Sequence, residues 1–203
     1  MNMSQVQERS QSGWHSGLAP VEAETLLRVA RDTLAWSAHG AKGAFSFSGY
    51  VLTAALRRQA ASFVTLFAPT DELRGCMGNM EAVEPLFQSV HHNADHAARH
   101  DPRFFPVDAA EWDRLRVHVS ILSEPQPVPA PEDFIPGRHG VILEHGSHRA
   151  VFLPEVAAEQ GWNREQTLQA LCRKAGIGTD RWRQGSRFWI FHTAILSGIP
   201  REN

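Results

Sequence analysis

The strand-forming segments of this chain come in pairs joined by turns, and that pairing limits the folds open to it. Residues 62–67 (SFVTLF) are β-branched and aromatic, Pro69, Thr70 and Asp71 make a turn, and extended sequence resumes at Leu73-Arg74-Gly75-Cys76-Met77-Gly78. Residues 141–144 and 149–153 flank His145-Gly146-Ser147-His148 in the same way. Residues 116–122 (RVHVSIL) alternate Val117, Val119 and Ile121 against Arg116, His118 and Ser120, the period of a strand. Hairpins with helices between them, in place of strict β-α-β alternation, predict an α+β fold with mainly antiparallel sheet and flanking helices.

The helices carry their own signals. Pro20 suits a first helical position, Glu22 and Glu24 complement the dipole, Leu27, Ala30, Leu34 and Ala38 recur at helical spacing, and Gly40 closes the run. A second helix is expected from Glu81, with Val83, Leu86, Phe87, Val90, Ala94 and Ala97 on one stripe and Pro102 as its stop. Asp108 followed by Glu111 reads as a capping box for a short helix. Asn163 with Gln166 caps another, lined by Leu168, Leu171, Cys172 and Ala175 and ended by Gly176. Residues 45–58 admit both an extended and a helical reading. Residues 188–196 (FWIFHTAIL) predict one strand near the middle of a sheet. Residues 124–136 hold five of the twelve prolines, too many for a regular ladder, and are expected to connect two halves of the chain. The polar residues 1–19 are expected to be a disordered tail ahead of a domain running from 20 to 200.

Composition narrows the function classes. The 203 residues carry 20 Lys+Arg against 22 Asp+Glu, a net charge of −2 that supplies no large basic field and argues against general nucleic-acid binding. Cys76 and Cys172 are far apart with no CxxC, which speaks against a disulfide scaffold and a thiolate zinc site and fits a cytoplasmic protein. No stretch reaches the roughly 20 apolar residues of a membrane span, and no signal-peptide run opens the chain.

The sharpest chemical feature is Arg74-Gly75-Cys76-Met77-Gly78. Two glycines beside a cysteine permit close backbone approach, and a neighbouring guanidinium favours thiolate over thiol, so Cys76 with Arg74 is a candidate nucleophile or redox site. The competing reading makes Cys76 a small packed residue, as Cys172 is on its helix stripe. His92, His96 and His100 recur at i, i+4, i+8, a spacing that can share an ion, yet they lie opposite the apolar stripe and lack HExxH. No metal and no cofactor is therefore predicted. His118 and His192 fall in strands, where one hydrogen-bonded imidazole is usually structural. Glu81, Glu84 and Asp101 have the chemistry of an acid or base, but carboxylates at helix ends mostly answer the dipole. Phosphate-loop, dinucleotide and nucleophile-elbow signatures are absent from the sequence.

Six segments resemble the AMMECR-type domain family in order and spacing: FVTLF (63–67), LRGCMGNMEAVEPL (73–86), DPRFFPV (101–107), VHVSILSEPQPV (117–128), IPGRHGVIL (135–143) and LPEVAAEQGWNREQTLQALCRKAGI (153–177). The family's motif usually continues as Ile-Gly where this chain has Met77-Gly78. The resemblance implies one α+β domain of a larger and a smaller lobe, with the LRGC segment projecting into a cleft. It also implies association with the Memo-type and radical-SAM proteins of an AmmeMemoRadiSam system. Arg74, Gly75, Cys76 and Gly78 match the central motif, Asn93 an asparagine in the following helix, and Asp101 and Arg103 the DPRF segment. Two functions follow as expectations: an enzyme or enzyme component acting on a small molecule through Cys76, or a non-catalytic binding or adaptor domain for a protein partner or small ligand. In the first, Cys76 and Arg74 are catalytic, His118 or a member of the 92/96/100 row moves protons, and Gly75, Gly78, Asn93, Asp101 and Arg103 bind.

Overall fold

Both hairpins form where turn chemistry separates their strands. In the computed structural model, which describes residues 6–198, the strands are β1 (Val6–Arg9), β2 (Ser62–Phe67), β3 (Leu73–Gly78), β4 (Arg116–Leu122), β5 (Gln126–Val128), β6 (Gly140–His145), β7 (His148–Phe152), β8 (Arg187–Phe191) and β9 (Thr193–Gly198). The α-helices are α1 (Pro20–Ala38), α2 (Ala54–Arg57), α3 (Leu86–Arg99), α4 (Pro154–Glu159) and α5 (Arg164–Lys174). The architecture is α+β with two sheets, ordered β1-β9-β4-β2-β3 and β5-β8-β6-β7. The described chain divides into two units, one of residues 6–9, 15–122 and 194–198, the other of 10–14 and 123–193.

In the first unit β2 pairs antiparallel with both β3 and β4. Its side chains alternate: Ser62, Val64 and Leu66 are buried, whereas Phe63, Thr65 and Phe67 are half-buried. Helices α1 and α3 pack on each other, and α3 covers β2 and β3. Leu86, Val90 and Ala94 of α3 are fully enclosed with Val64 and Leu66, each larger side chain contributing about 1.5–3 kcal/mol. The second unit has its own core, in which Phe134, Val141, Leu143 and Phe188 meet Leu168, Leu171 and Cys172 of α5. The Asn163–Gln166 capping box of α5 forms in both directions.

Five sequence expectations are corrected. Within the expected tail, Val6–Arg9 is an edge strand on β9, held by the Glu8 carboxylate, which accepts from the backbone N–H and hydroxyl of Ser16 at 2.8 Å each. Its alternation is too short and polar to register as a strand, and residues 1–5, 199 and 200 of the expected tail and domain lie outside the described residues. Helix α3 begins at Leu86, not Glu81, because Pro85 is its N-cap and disfavours helical backbone in the residue before it; Val83 is left exposed. Asp108 accepts from the Ala110 N–H, and only a three-residue 3-10 turn, Trp112–Arg114, follows. The proline-rich connection does carry a ladder, β5 on β8, with Pro127 on a sheet edge where its missing N–H costs nothing. Residues 188–196 form two strands, β8 and β9, one in each sheet, broken at His192, whose N–H donates to Ser123 Oγ at 2.9 Å. Residues 45–58 resolve into a loop and α2, with Phe45 stacked on His91 of α3 at 4.4 Å between ring centroids.

Candidate functional site

Gly75 decides which way Cys76 points. A Cβ on Gly75 would sit 2.3 Å from the Ala97 carbonyl oxygen of α3, so this position turns toward the helix and has room for no side chain. Alternation along β3 then sends Cys76 to the other face. There its Sγ lies 3.3 Å from Thr65 Oγ1, and the residue is half-buried. Thr65 is the cross-strand partner of Cys76 on β3 and of His118 on β4, so the three form a row across three strands. Two strand spacings put the His118 backbone roughly 10 Å from that of Cys76, with Thr65 between. Burial, then the charges of Arg116 and Arg9, lower the His118 pKa and favour its neutral form.

Strand β3 is the last of its sheet, and an ion pair occupies the edge beside Cys76. Asp101 Oδ2 accepts the Cys76 backbone N–H at 2.8 Å, and Arg103 Nη2 donates to the Cys76 carbonyl at 3.4 Å. The pair is itself bidentate, Arg103 Nε to Oδ1 at 2.9 Å and Nη2 to Oδ2 at 2.7 Å. Asp101 directly follows the α3 C-cap, and Pro102 occupies the next position of a turn closed by the Phe104 N–H on the Asp101 carbonyl. The Asp101 side chain is only 2% exposed. Its hydrogen bonds from Arg103 hold the carboxyl well below the usual carboxylate range, helped by the Cys76 and Arg103 amides and opposed by burial. The same carboxylate raises the Arg103 pKa against the opposing effect of burial, with a smaller contribution from Cys76.

Arg74 has an acidic partner of its own. It falls in a bulge, with Phe67 paired to Leu73 and Leu66 to Gly75. Its guanidinium makes a bidentate pair with Glu111, Nε to Oε2 at 3.0 Å and Nη2 to Oε1 at 2.5 Å. The Phe104 ring lies 5.9 Å from the Arg74 guanidinium carbon and 5.4 Å from that of Arg103. The cation directed at Cys76 is therefore Arg103. Gly78 follows Cys76 on the same face, and a Cβ there would strike the Phe63 ring at 2.2 Å.

The structure does not bring the remaining candidates to this row. Asn93 is buried on the helix side, its amide donating to the Ser62 carbonyl and hydroxyl at 3.0 Å each, which ties α3 to β2. His92 pairs with Glu84 at 2.7 Å, and His96 and His100 meet edge to face. Among the described residues no three His, Cys, Asp or Glu side chains converge as a metal set. Sequence reasoning missed Thr65, Phe104 and Glu111. Cross-strand register alone exposes Thr65, and the capping reading of Glu111 hid its partnership with Arg74.

The AMMECR1 family profile matches residues 27–196, which takes in the whole row and its edge pair. The chain belongs to the AMMECR1 family. Protein MJ0810 of Methanocaldococcus jannaschii is 39% identical over 148 residues, 68% of this chain and 74% of that protein. An Aeropyrum pernix protein is 34% identical over 188 residues, 88% of this chain and 79% of its own. The crystal structure of the uncharacterized protein PH0010 from Pyrococcus horikoshii superposes with a TM-score of 0.75 at 30% identity, covering 87% of this chain and 95% of that one. The fold is thus common to this chain and that solved structure. No helix among the described residues is long and apolar enough to cross a membrane.

Proposed function

We propose that this AMMECR1 protein is the small-molecule-acting component of an AmmeMemoRadiSam-type system, working with Memo-type and radical-SAM partners. Its site is the sheet face around Cys76. The thiol is the reacting group, and Arg103 holds negative charge on the bound molecule or developing in the reaction. The observation that carries this reading is the clamp on Cys76: Asp101 and Arg103 engage its N–H and carbonyl, while alternation directs its sulfur away from α3. Such fixing of a reactive group by supporting ion pairs and backbone bonds is what a precisely placed nucleophile requires. The Arg74–Glu111 pair anchors the same strand two residues earlier, and Gly75, Gly78 and Asn93 set its approach to α3 and β2.

A second reading, a binding or adaptor domain, is favoured by the partner of the sulfur. The side-chain hydrogen bond of Sγ goes to Thr65, and in register the imidazole of His118 stands beyond it, so proton transfer has no direct route. The two readings separate on Cys76→Ser in a mixture reconstituted with the Memo-type and radical-SAM proteins and fed the small-molecule fraction of a cell extract. Under the first, a compound consumed by the wild-type mixture is spared by the variant. Equal consumption with Cys76→Ser removes the thiol mechanism and leaves the binding role.

A further inference from the structure

A hollow of about 660 Å³ lies on the second unit, lined by Gly178, Thr179, Asp180, Arg181, Arg183 and Gln184. It shares no residue with the Cys76 row, and its volume is that of a small-molecule site. The chain around it reverses the charge balance of the whole protein. Residues 173–187 contain five cations, Arg173, Lys174, Arg181, Arg183 and Arg187, against the single acid Asp180, in a chain whose net charge is −2.

The two arginines of the hollow are held differently. Arg183 is fixed, with Nη2 donating to Glu165 at 2.5 Å and its guanidinium stacked 4.1 Å above the Trp182 ring. Trp182 is in turn anchored in the unit's core. Arg181 is exposed, and among the described residues its guanidinium has neither an acidic partner nor a hydrogen bond. Its side chain runs over bare backbone: a Cβ on Gly178 would meet only Arg181 Cγ, at 3.8 Å. The Thr179 hydroxyl and the Gln184 amide likewise have no partner among the described residues. The hollow therefore gathers two guanidinia, a hydroxyl and an amide as donors, around a glycine that keeps its floor open, with one exposed carboxylate at Asp180.

We propose that this hollow binds the phosphoryl group of a small molecule. A planar guanidinium without an acidic partner matches phosphate oxygens bidentately, and Arg181 is that group; Arg183, paired with Glu165 and 3.9 Å from Asp180, is held beside it as an oriented donor and not as a second free cation. A polymeric anion is the less fitting occupant, because two of the three cations beyond the hollow are engaged, Arg187 with Glu144 and Lys174 with the Val151 carbonyl, which leaves Arg173 alone among them.

Titration calorimetry of the full chain with inorganic pyrophosphate tests this. The wild type binds saturably, and Arg181→Gln and Thr179→Ala each weaken binding, the former by about tenfold or more. Arg31→Gln removes the same charge from an exposed position on α1 and leaves affinity unchanged. Three results overturn the proposal: no saturation by about 10 mM pyrophosphate; equal weakening by Arg31→Gln, which would mark diffuse attraction; or oligodeoxythymidylate binding that tightens with length and outcompetes pyrophosphate.

Discussion

The carboxylate of Asp101 accepts the backbone N–H of Cys76 at 2.8 Å, so the residue just past the α3 C-cap satisfies a donor on a sheet edge. Exposed edges invite further strands, and this one is closed over the cysteine by a charged pair instead. Asp101→Asn keeps the shape and loses the charge that holds Arg103. We expect a loss of about 1.5–3 kcal/mol, the scale of hydrogen bonds to charged groups, read as a lowered midpoint in urea unfolding. An unchanged midpoint would show the clamp to be idle.

The same carboxylate gives a pH dependence of defined sign. Its folded pKa is depressed, so its contribution is present above the unfolded carboxylate value, about 3.9, and is lost as pH falls below that toward the folded value. The stability difference between wild type and Asp101→Asn should shrink on acidification from pH 5 downward. A difference that is constant down to pH 3 would contradict it.

His91 acts in a higher window. It is buried, its Nδ1 hydrogen-bonded to the Thr33 hydroxyl at 2.8 Å, and burial, followed by the nearby His92, pushes its pKa down to about 4. The unfolded chain takes up this proton near pH 6.5, so stability is full above that value and falls between 6.5 and 4, by on the order of 3 kcal/mol. His91→Phe should flatten that part of the profile in urea titrations at successive pH values. A profile as steep as the wild type's would assign the slope elsewhere.

Glu155 runs the other way. Burial raises its pKa, and its Oε2 is buried without a hydrogen-bond partner among the described residues, so it is most stable protonated, below the unfolded value of about 4.3, and its contribution is lost as pH rises. Glu155→Gln should raise the melting temperature at pH 7.5, and the gain should vanish near pH 4. A variant that is less stable at both values would show that the charge is needed.

Much of this was legible in the sequence, and the misses share a cause. The hairpins, α1, β4 and the α5 cap rest on local chemistry: turn residues, period two or 3.6, a capping asparagine. The break of 188–196 at His192 is set by its exchange of hydrogen bonds with Ser123, 69 positions away, whose hydroxyl accepts the His192 N–H and whose N–H donates to the His192 carbonyl; no window along the chain contains both residues. Cys76 stood out because two glycines surround it, and one of them, Gly75, meets a helix backbone at contact distance. Arg103 did not, because its nearness to Cys76 depends on the Asp101 turn, and Arg74, adjacent in sequence, is engaged by Glu111.

Gly75→Ala tests that contact. With the Ala97 carbonyl 2.3 Å from the new methyl, the strand or α3 must shift, and overpacking of this kind costs about 1–3 kcal/mol or more. Gly49→Ala, where a Cβ meets nothing within 4 Å, should be near neutral in the same melts. Equal effects from both would disprove the close approach.

The claim on which the account turns is that the Cys76 sulfur is open to reaction in the folded protein, and iodoacetamide labelling read by peptide mass spectrometry tests it most directly. One equivalent should enter native protein at Cys76, and Cys172, fully enclosed in its core, should label only in denaturant. Labelling of both cysteines only after denaturation would contradict it.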